Sequence, residues 1–203
     1  MKSNKKQVAI ILPLYQKKLS STEEKSIKSL TKYLSDYPIF SIGPKFCKNI
    51  KKEFTFIEFD SSYFIDRNNY SKLLLSSSFY NTFADFKYIL IYQTDCLVLS
   101  SNLSEFCSLG YDYIGAPWFK DKNFPEKGFS RIGNGGLSLR KVSSFLRVLS
   151  SKHIIKWSSI FSIQLPDRPY WDYYKKINVM RETKKGIDWY AKNYSLNEDL
   201  FWS

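Results

Sequence analysis

Three features of the sequence predict an α/β fold. A continuous apolar run of strand length, QVAIILPLY, opens the chain, an amphipathic helical pattern follows it, and the most apolar strand-length run, KYILIY, comes after a second helical stretch. With 203 residues, 43% hydrophobic and 18% aromatic, the chain can bury the core of a full-sized domain, which excludes a disordered tail or a small stapled module. No internal repeat, low-complexity stretch or linker interrupts it, so residues 1–203 are expected to form one domain.

The start, MKSNKKQVAIILPLYQ, is basic and then apolar, as a secretory leader is. Pro13 and the polar residues after it interrupt that pattern without a small-residue cleavage site, so the run is expected to be a first buried strand and not a targeting segment. Ser20 or Ser21, with Glu23 or Glu24 three residues on, offers a capping box, and Ile27, Leu30 and Leu34 then recur at helical spacing. Pro38 ends the helix. PIFSIG and FTFIEF read as short strands, and the apolar positions between Asn68 and Phe86 fit a helix broken around Ser76–Ser78. KYILIY is next, stopping at Gln93-Thr94-Asp95 before a second apolar run, CLVL. From Tyr111 the pattern predicts aromatic and glycine-rich loops, DYIGAPWF and RIGNGGLSLR, followed by a helix carrying Val142, Phe145, Leu146 and Leu149 on one face.

Charge and rare residues narrow the chemistry. No apolar run approaches the ~18 residues of a membrane span, so a soluble protein is expected. Cys47, Cys96 and Cys107 have neither an even count nor CxxC spacing, which argues against a disulfide framework or zinc site and for a reducing cytoplasm. His153 is the only histidine, so any metal must rest mainly on oxygen ligands. It sits between lysines and reads as a surface residue. The net charge of +12 is concentrated in residues 1–52, where 12 Lys/Arg face 3 Asp/Glu. Lys17, Lys18, Lys25, Lys28 and Lys32 would suit an anionic membrane surface or phosphate-bearing molecules. Nucleic acid is the weaker expectation, because these lysines alternate with the core face of a helix and no nucleic-acid module appears.

Asp95 is the foremost candidate residue. A carboxylate at the carboxyl end of a buried strand lies where open α/β sheets bind ligands, and it could hold Mg²⁺ or Mn²⁺ against a diphosphate. Gly133-Asn134-Gly135-Gly136 would permit positive φ and close approach of a ligand to the backbone, but it is neither a Walker loop nor a dinucleotide fingerprint. Glu198 and Asp199 are adjacent carboxylates, either of which could act as a general base. Tyr170, Trp171, Tyr173 and Tyr174 could stack on sugars or pack in a core.

Taken in order, AIILPLYQ, YILIYQTDCLVL, DYIGAPWF, GNGGLSLR and NEDLF resemble a microbial glycosyltransferase family of the GT-A superfamily, over residues 7 to the end. The resemblance implies a single Rossmann-like GT-A domain with a central mixed, mostly parallel sheet flanked by helices. It implies a hexosyltransferase moving a sugar from a nucleoside diphosphate donor, a UDP-sugar first among them, to a hydroxyl of a surface glycan such as capsule or lipopolysaccharide, or of a lipid-linked acceptor, with inversion. Pro13, Leu14, Tyr15, Gln93, Thr94, Asp95, Gly135 and Gly136 would then bind the donor, and Trp118 and Asn134 the acceptor. Asp95 would hold a divalent cation, and Asp199, with Glu198 as its competitor, would be the base. The enzyme would work in the cytoplasm at the inner face of the membrane. One departure stands out: the usual Asp-x-Asp is Gln93-Thr94-Asp95, which brings the metal requirement into question and raises the alternative of a nucleotide-sugar or carbohydrate-binding protein without turnover. The chain also ends four residues after Asp199, about one helical turn, from which a trimmed C-terminus is expected.

Overall fold

The computed structural model describes residues 6–121, 123–151, 187–192, 194 and 197–202. His153 and the aromatic group Tyr170, Trp171, Tyr173 and Tyr174 lie outside these residues. The chain order is β1 (Lys6–Pro13), α1 (Ser21–Leu34), β2 (Ile39–Gly43), β3 (Thr55–Glu58), α2 (Arg67–Leu74), α3 (Ser77–Thr82), β4 (Phe86–Tyr92), α4 (Leu103–Ser108), β5 (Tyr113–Phe119), β6 (Phe129–Lys141), α5 (Val142–Leu149), α6 (Ile187–Lys192) and α7 (Asp199–Trp202), with short 3₁₀ turns between some of them. The described strands form one sheet in the order β3-β2-β1-β4-β6-β5. Its β3–β2–β1–β4 part is parallel, and β6 runs antiparallel to both β4 and β5. This is the mixed, Rossmann-like α/β sheet.

Alternation along β1 and β4 explains why both strands are apolar throughout. Val8, Ile10 and Leu12 of β1, with Tyr88, Leu90 and Tyr92 of β4, pack against Ile27, Leu30 and Leu34 of α1 and Leu103 and Cys107 of α4. The intervening Ala9, Ile11, Ile89 and Ile91 pack on the other face against Leu73, Leu74, Phe79, Tyr80, Phe83, Val142, Phe145 and Leu149 of α2, α3 and α5. A strand covered on both sides has no solvent face on which to place polar residues.

The helix starts follow local chemistry. Ser20 caps α1 in a reciprocal box with Glu23, Asp66 caps α2 through the Asn69 N–H, and Ser76 caps α3 through the Phe79 N–H, which is why the helical stretch divides at the serines. CLVL does not become a strand. The Cys96 carbonyl accepts from Ser26 Oγ (2.6 Å) and Tyr92 Oη (2.8 Å), and the Val98 carbonyl accepts from Ser29 Oγ, so α1 takes the acceptors a ladder would need.

The expected loops at 112–119 and 131–140 are corrected: both are strands, β5 and most of β6. The glycines do not prevent pairing because each strand has a neighbour that supplies hydrogen bonds, and context overrides weak local β-propensity. Gly133-Asn134-Gly135-Gly136 is a bulged section within β6 and not a free turn. Gly115 pairs with Ser138 and Ala116 with Asn134, so one step along β5 spans four along β6. A Cβ on Gly115 would come within 2.7 Å of the Gly133 backbone. Among the described residues no helix is long and apolar enough to cross a membrane.

The α1 cap gives a pH-dependent test. Partial burial pushes the Glu23 carboxyl up, but hydrogen bonds from the Ser20 N–H, the Ser20 hydroxyl and Thr94 outweigh it and hold it below its ordinary value. A carboxyl depressed in the folded state contributes stability above its unfolded pKa and loses it as pH falls through the folded value. Glu23→Gln should therefore cost about 1 kcal/mol in urea unfolding at neutral pH, and the difference should vanish below the carboxylate range. A deficit that does not change with pH contradicts this assignment.

Candidate functional site

Strand order reverses at β1. The chain leaves β1 for β2 on one side, while β4 enters on the other, so the segments after β1 and β4 diverge and leave a crevice at their carboxyl ends. A cleft of about 830 Å³ lies there. Pro13, Tyr15, Gln93, Thr94 and Asp95 line it on the strand side, Glu23 and Lys25 on the α1 side, and Phe64, Arg67 and Tyr70 on the α2 side.

The segment after β4 is held by α1. Thr94 Oγ1 donates to Glu23 Oε1 (3.0 Å), and Tyr92 Oη and Ser26 Oγ lie 2.8 Å apart beneath it. Asp95 is left exposed at the cleft, and its carboxylate accepts from the Cys96 thiol at 3.6 Å. Burial and the Asp95 charge push that thiol up to about 12, and burial pushes Cys47 and Cys107 up to about 11, so the three free cysteines are not nucleophiles at neutral pH.

Behind the cleft lies a feature that the residue pattern did not disclose. Arg140, on β6, is wholly buried, on the sheet face covered by α3 and α5. Its Nη2 donates to Glu198 Oε1 (2.8 Å) and to the Gly135 carbonyl (3.2 Å), Nη1 donates to Tyr80 Oη (2.9 Å) and Nε to Ser138 Oγ (2.9 Å). Its Cζ is 5.7 Å from the Tyr113 ring centroid and 5.6 Å from that of Phe145. Burial works against the cation, but Tyr80, Glu198 and Tyr113 outweigh it and keep the guanidinium protonated. Ser71 of α2 donates to the second oxygen, Glu198 Oε2, at 3.4 Å. The pair thus joins β6, α2, α3 and the start of α7.

The expected site residues separate into five places. Pro13, Tyr15, Gln93, Thr94 and Asp95 meet in the cleft. Leu14 is in the core on the α1 face. Asn134, Gly135 and Gly136 lie in the β6 bulge, where Asn134 Oδ1 accepts from the Gly136 N–H (2.8 Å) and the Gly136 carbonyl accepts from the Gln93 N–H (2.9 Å). A Cβ on Gly136 would come within 2.6 Å of Gln93 Oε1, and one on Gly135 would collide with the Glu198 carboxylate. Trp118 is on β5, paired with Arg131, and does not line the cleft. Glu198 and Asp199 are both buried, and neither lines the cleft. Tyr70 connects the two regions: it lines the cleft, and its hydroxyl is buried without a hydrogen-bond partner among the described residues. Burial and the Glu198 charge push that phenol up, and Gln93 is near enough to oppose the rise without forming a hydrogen bond of ordinary geometry.

The residues here suit one kind of metal site. No three His, Cys, Asp or Glu side chains gather closely enough to cage an ion among the described residues. A single exposed Asp95 fits instead a hard cation that keeps waters and shares phosphate oxygens.

A mixed α/β sheet with its crevice at the strand-order reversal defines the class of protein. The chain belongs to the family described as "Protein of unknown function (DUF5672)", whose model matches residues 53–203. No curated protein matches the sequence. Among solved structures, the mannosyltransferase Ktr4p from S. cerevisiae in complex with GDP is similar at 12% identity, with 91% of this chain and 65% of that one covered and a TM-score of 0.44. The bifunctional IspDF from Campylobacter jejuni gives 14% identity, 76% and 46% coverage and 0.42, and the 4-diphosphocytidyl-2C-methyl-D-erythritol synthase from Anaerococcus prevotii gives 8%, 85% and 83%, and 0.46. The chain thus spans less than two thirds of the length of the first two.

Removing one partner of a buried ion pair strands the other, which costs about 3–5 kcal/mol, whereas replacing both with apolar groups costs far less. Glu198→Gln should lower unfolding free energy by roughly that amount in urea titration. Combining Glu198→Leu with Arg140→Met should restore much of it. A single variant as stable as the parent would show that the pair does not hold the C-terminal turn to the sheet.

Proposed function

We propose that this protein is a glycosyltransferase that uses a nucleoside diphosphate sugar, bound in the cleft between the carboxyl ends of β1 and β4. The observation carrying this reading is the meeting of Pro13, Tyr15, Gln93, Thr94 and Asp95, from two sequence-distant motifs, at the reversal of strand order. The volume of about 830 Å³ suits a ligand of that size. Asp95 is the residue that would hold Mg²⁺ or Mn²⁺, whose contribution when bound is to neutralise charge on the departing diphosphate.

Transfer requires an acceptor hydroxyl to lose its proton as its oxygen bonds to the anomeric carbon and the bond to the nucleoside diphosphate breaks. Glu198 has one oxygen on Arg140 and the other on Ser71, so it is a positioning residue. In this reading Asp199 is the base that takes the proton; because its carboxylate is buried and off the cleft, that role requires the C-terminal turn to bring it to the acceptor, and an in-line attack then inverts the anomeric carbon. The acceptor belongs to a surface glycan or a lipid-linked oligosaccharide. A second reading, binding of the nucleotide sugar without turnover, is favoured by Gln93 standing where a first carboxylate would be expected.

Release of nucleoside diphosphate in the presence of acceptor tests the reading. Asp199→Asn should reduce transfer about a hundredfold to ten-thousandfold while leaving donor affinity and thermal stability near parental. Asp95→Ala should weaken donor binding and abolish any Mn²⁺ dependence. Near-parental turnover of Asp199→Asn would remove it as the base, and donor binding without release of diphosphate would favour the second reading.

A further inference from the structure

We propose that Lys25 and Arg67, facing the cleft from α1 and α2, are the protein's counter-charges to the diphosphate of the donor; this rests on the reading above. The charged side chains lining the cleft are Glu23, Asp66, Asp95, Lys25 and Arg67, and the structure assigns them different tasks. Glu23 accepts from the Ser20 N–H (2.8 Å), the Ser20 hydroxyl (2.9 Å) and Thr94 (3.0 Å). Asp66 accepts from the Asn69 N–H (2.8 Å) and Asn69 Nδ2 (3.0 Å). These two carboxylates serve the protein's own donors, neutralising the helix N-termini beside the cleft. The Ser20 and Asn69 N–H groups are thereby engaged.

Lys25 and Arg67 differ. Both are exposed, and among the described residues neither has an ion-pair partner. Arg67 is the first residue of α2, where the helix dipole disfavours a cation, so its position is not explained by the stability of its own helix. A guanidinium presents a planar fork that matches two phosphate oxygens, and an ammonium supplies a point charge. A diphosphate lying between the α1 and α2 walls would receive one from each side, with Asp95 reaching it through a divalent cation. Two cations in addition to that ion suit a site that carries Gln93 in place of a second carboxylate. A diphosphate could also come from a lipid-linked acceptor, and the test separates the sources.

Calorimetric titration of the full chain would use UDP and GDP, their monophosphates, and geranyl diphosphate, each with EDTA and with Mn²⁺. The variants are Arg67→Gln and Lys25→Gln, with Lys28→Gln, on α1 but outside the cleft lining, as a control for general charge. The expected result is that one nucleoside diphosphate binds the parent more tightly than its monophosphate. Each cleft variant should then lose about tenfold or more in affinity for the diphosphate and less for the monophosphate, with Lys28→Gln unchanged. Diphosphate affinities unaffected in both cleft variants would overturn the proposal and leave the donor reading standing. Failure of the parent to bind either nucleoside diphosphate, with or without Mn²⁺, would remove the donor reading and this inference with it. Arg67-dependent binding of geranyl diphosphate alone would assign the cations to a lipid diphosphate and overturn their placement on the donor.

Discussion

A guanidinium with no exposure to water must be neutralised by the protein around it, and Arg140 imposes that constraint on much of this structure. It stands on β6 opposite Ile89 of β4, on the face covered by α3 and α5. Its partners come from its own strand, Ser138 Oγ and the Gly135 carbonyl of the bulge, and from two distant parts of the chain, Tyr80 of α3 and Glu198 of the C-terminal turn. Glu198 can approach only because residue 135 has no side chain. The bulge that accommodates the carboxylate also places the Gly136 carbonyl on the Gln93 N–H, at the cleft. The wall of the cleft is therefore continuous with the buried ion pair behind it.

The other side of the cleft depends on α1. Hydrogen bonds from Ser26, Ser29 and Tyr92 to the carbonyls of residues 96 and 98, together with the Glu23–Thr94 contact, hold the segment after β4 in an irregular path. That path keeps Asp95 exposed at the end of a strand whose other side chains, Lys87 apart, are buried. Rigid strands thus carry the irregular segments that bear the chemistry, the arrangement expected where loops supply function and the scaffold supplies position.

Much of the fold was legible because local signals and tertiary outcome agree. The apolar β1 and β4, the Ser20–Glu23 cap, the division of the helix at Ser76 and the amphipathic α5 all follow from residue type and spacing. The antiparallel half was less legible. YIGAPWF and GNGGLSLR have loop-like composition, and their pairing is supplied by neighbouring strands and not by propensity. Arg140 was missed for a related reason. In GLSLR the alternation of leucine with serine and arginine suggests one polar, solvated face, yet both faces of β6 are covered there, and two of the partners of Arg140, Glu198 and Tyr80, lie 58 and 60 residues away. The strand ends that line the cleft were anticipated, whereas the opposing wall of Phe64, Arg67 and Tyr70 was not, because a short helix with a mixed surface carries no periodic sign of what it faces.

Hydrogen–deuterium exchange of the full chain, with and without saturating nucleoside diphosphate and Mn²⁺, tests the central claim most directly: that the ligand occupies the crevice where strand order reverses. Slower exchange is predicted together in the segments following β1, at residues 64–70 and at residues 93–97, with β2 and β3 unaffected. Protection confined to other parts of the sheet, or to only one of the three segments, would contradict a site shared between the β1 and β4 ends and the α2 wall.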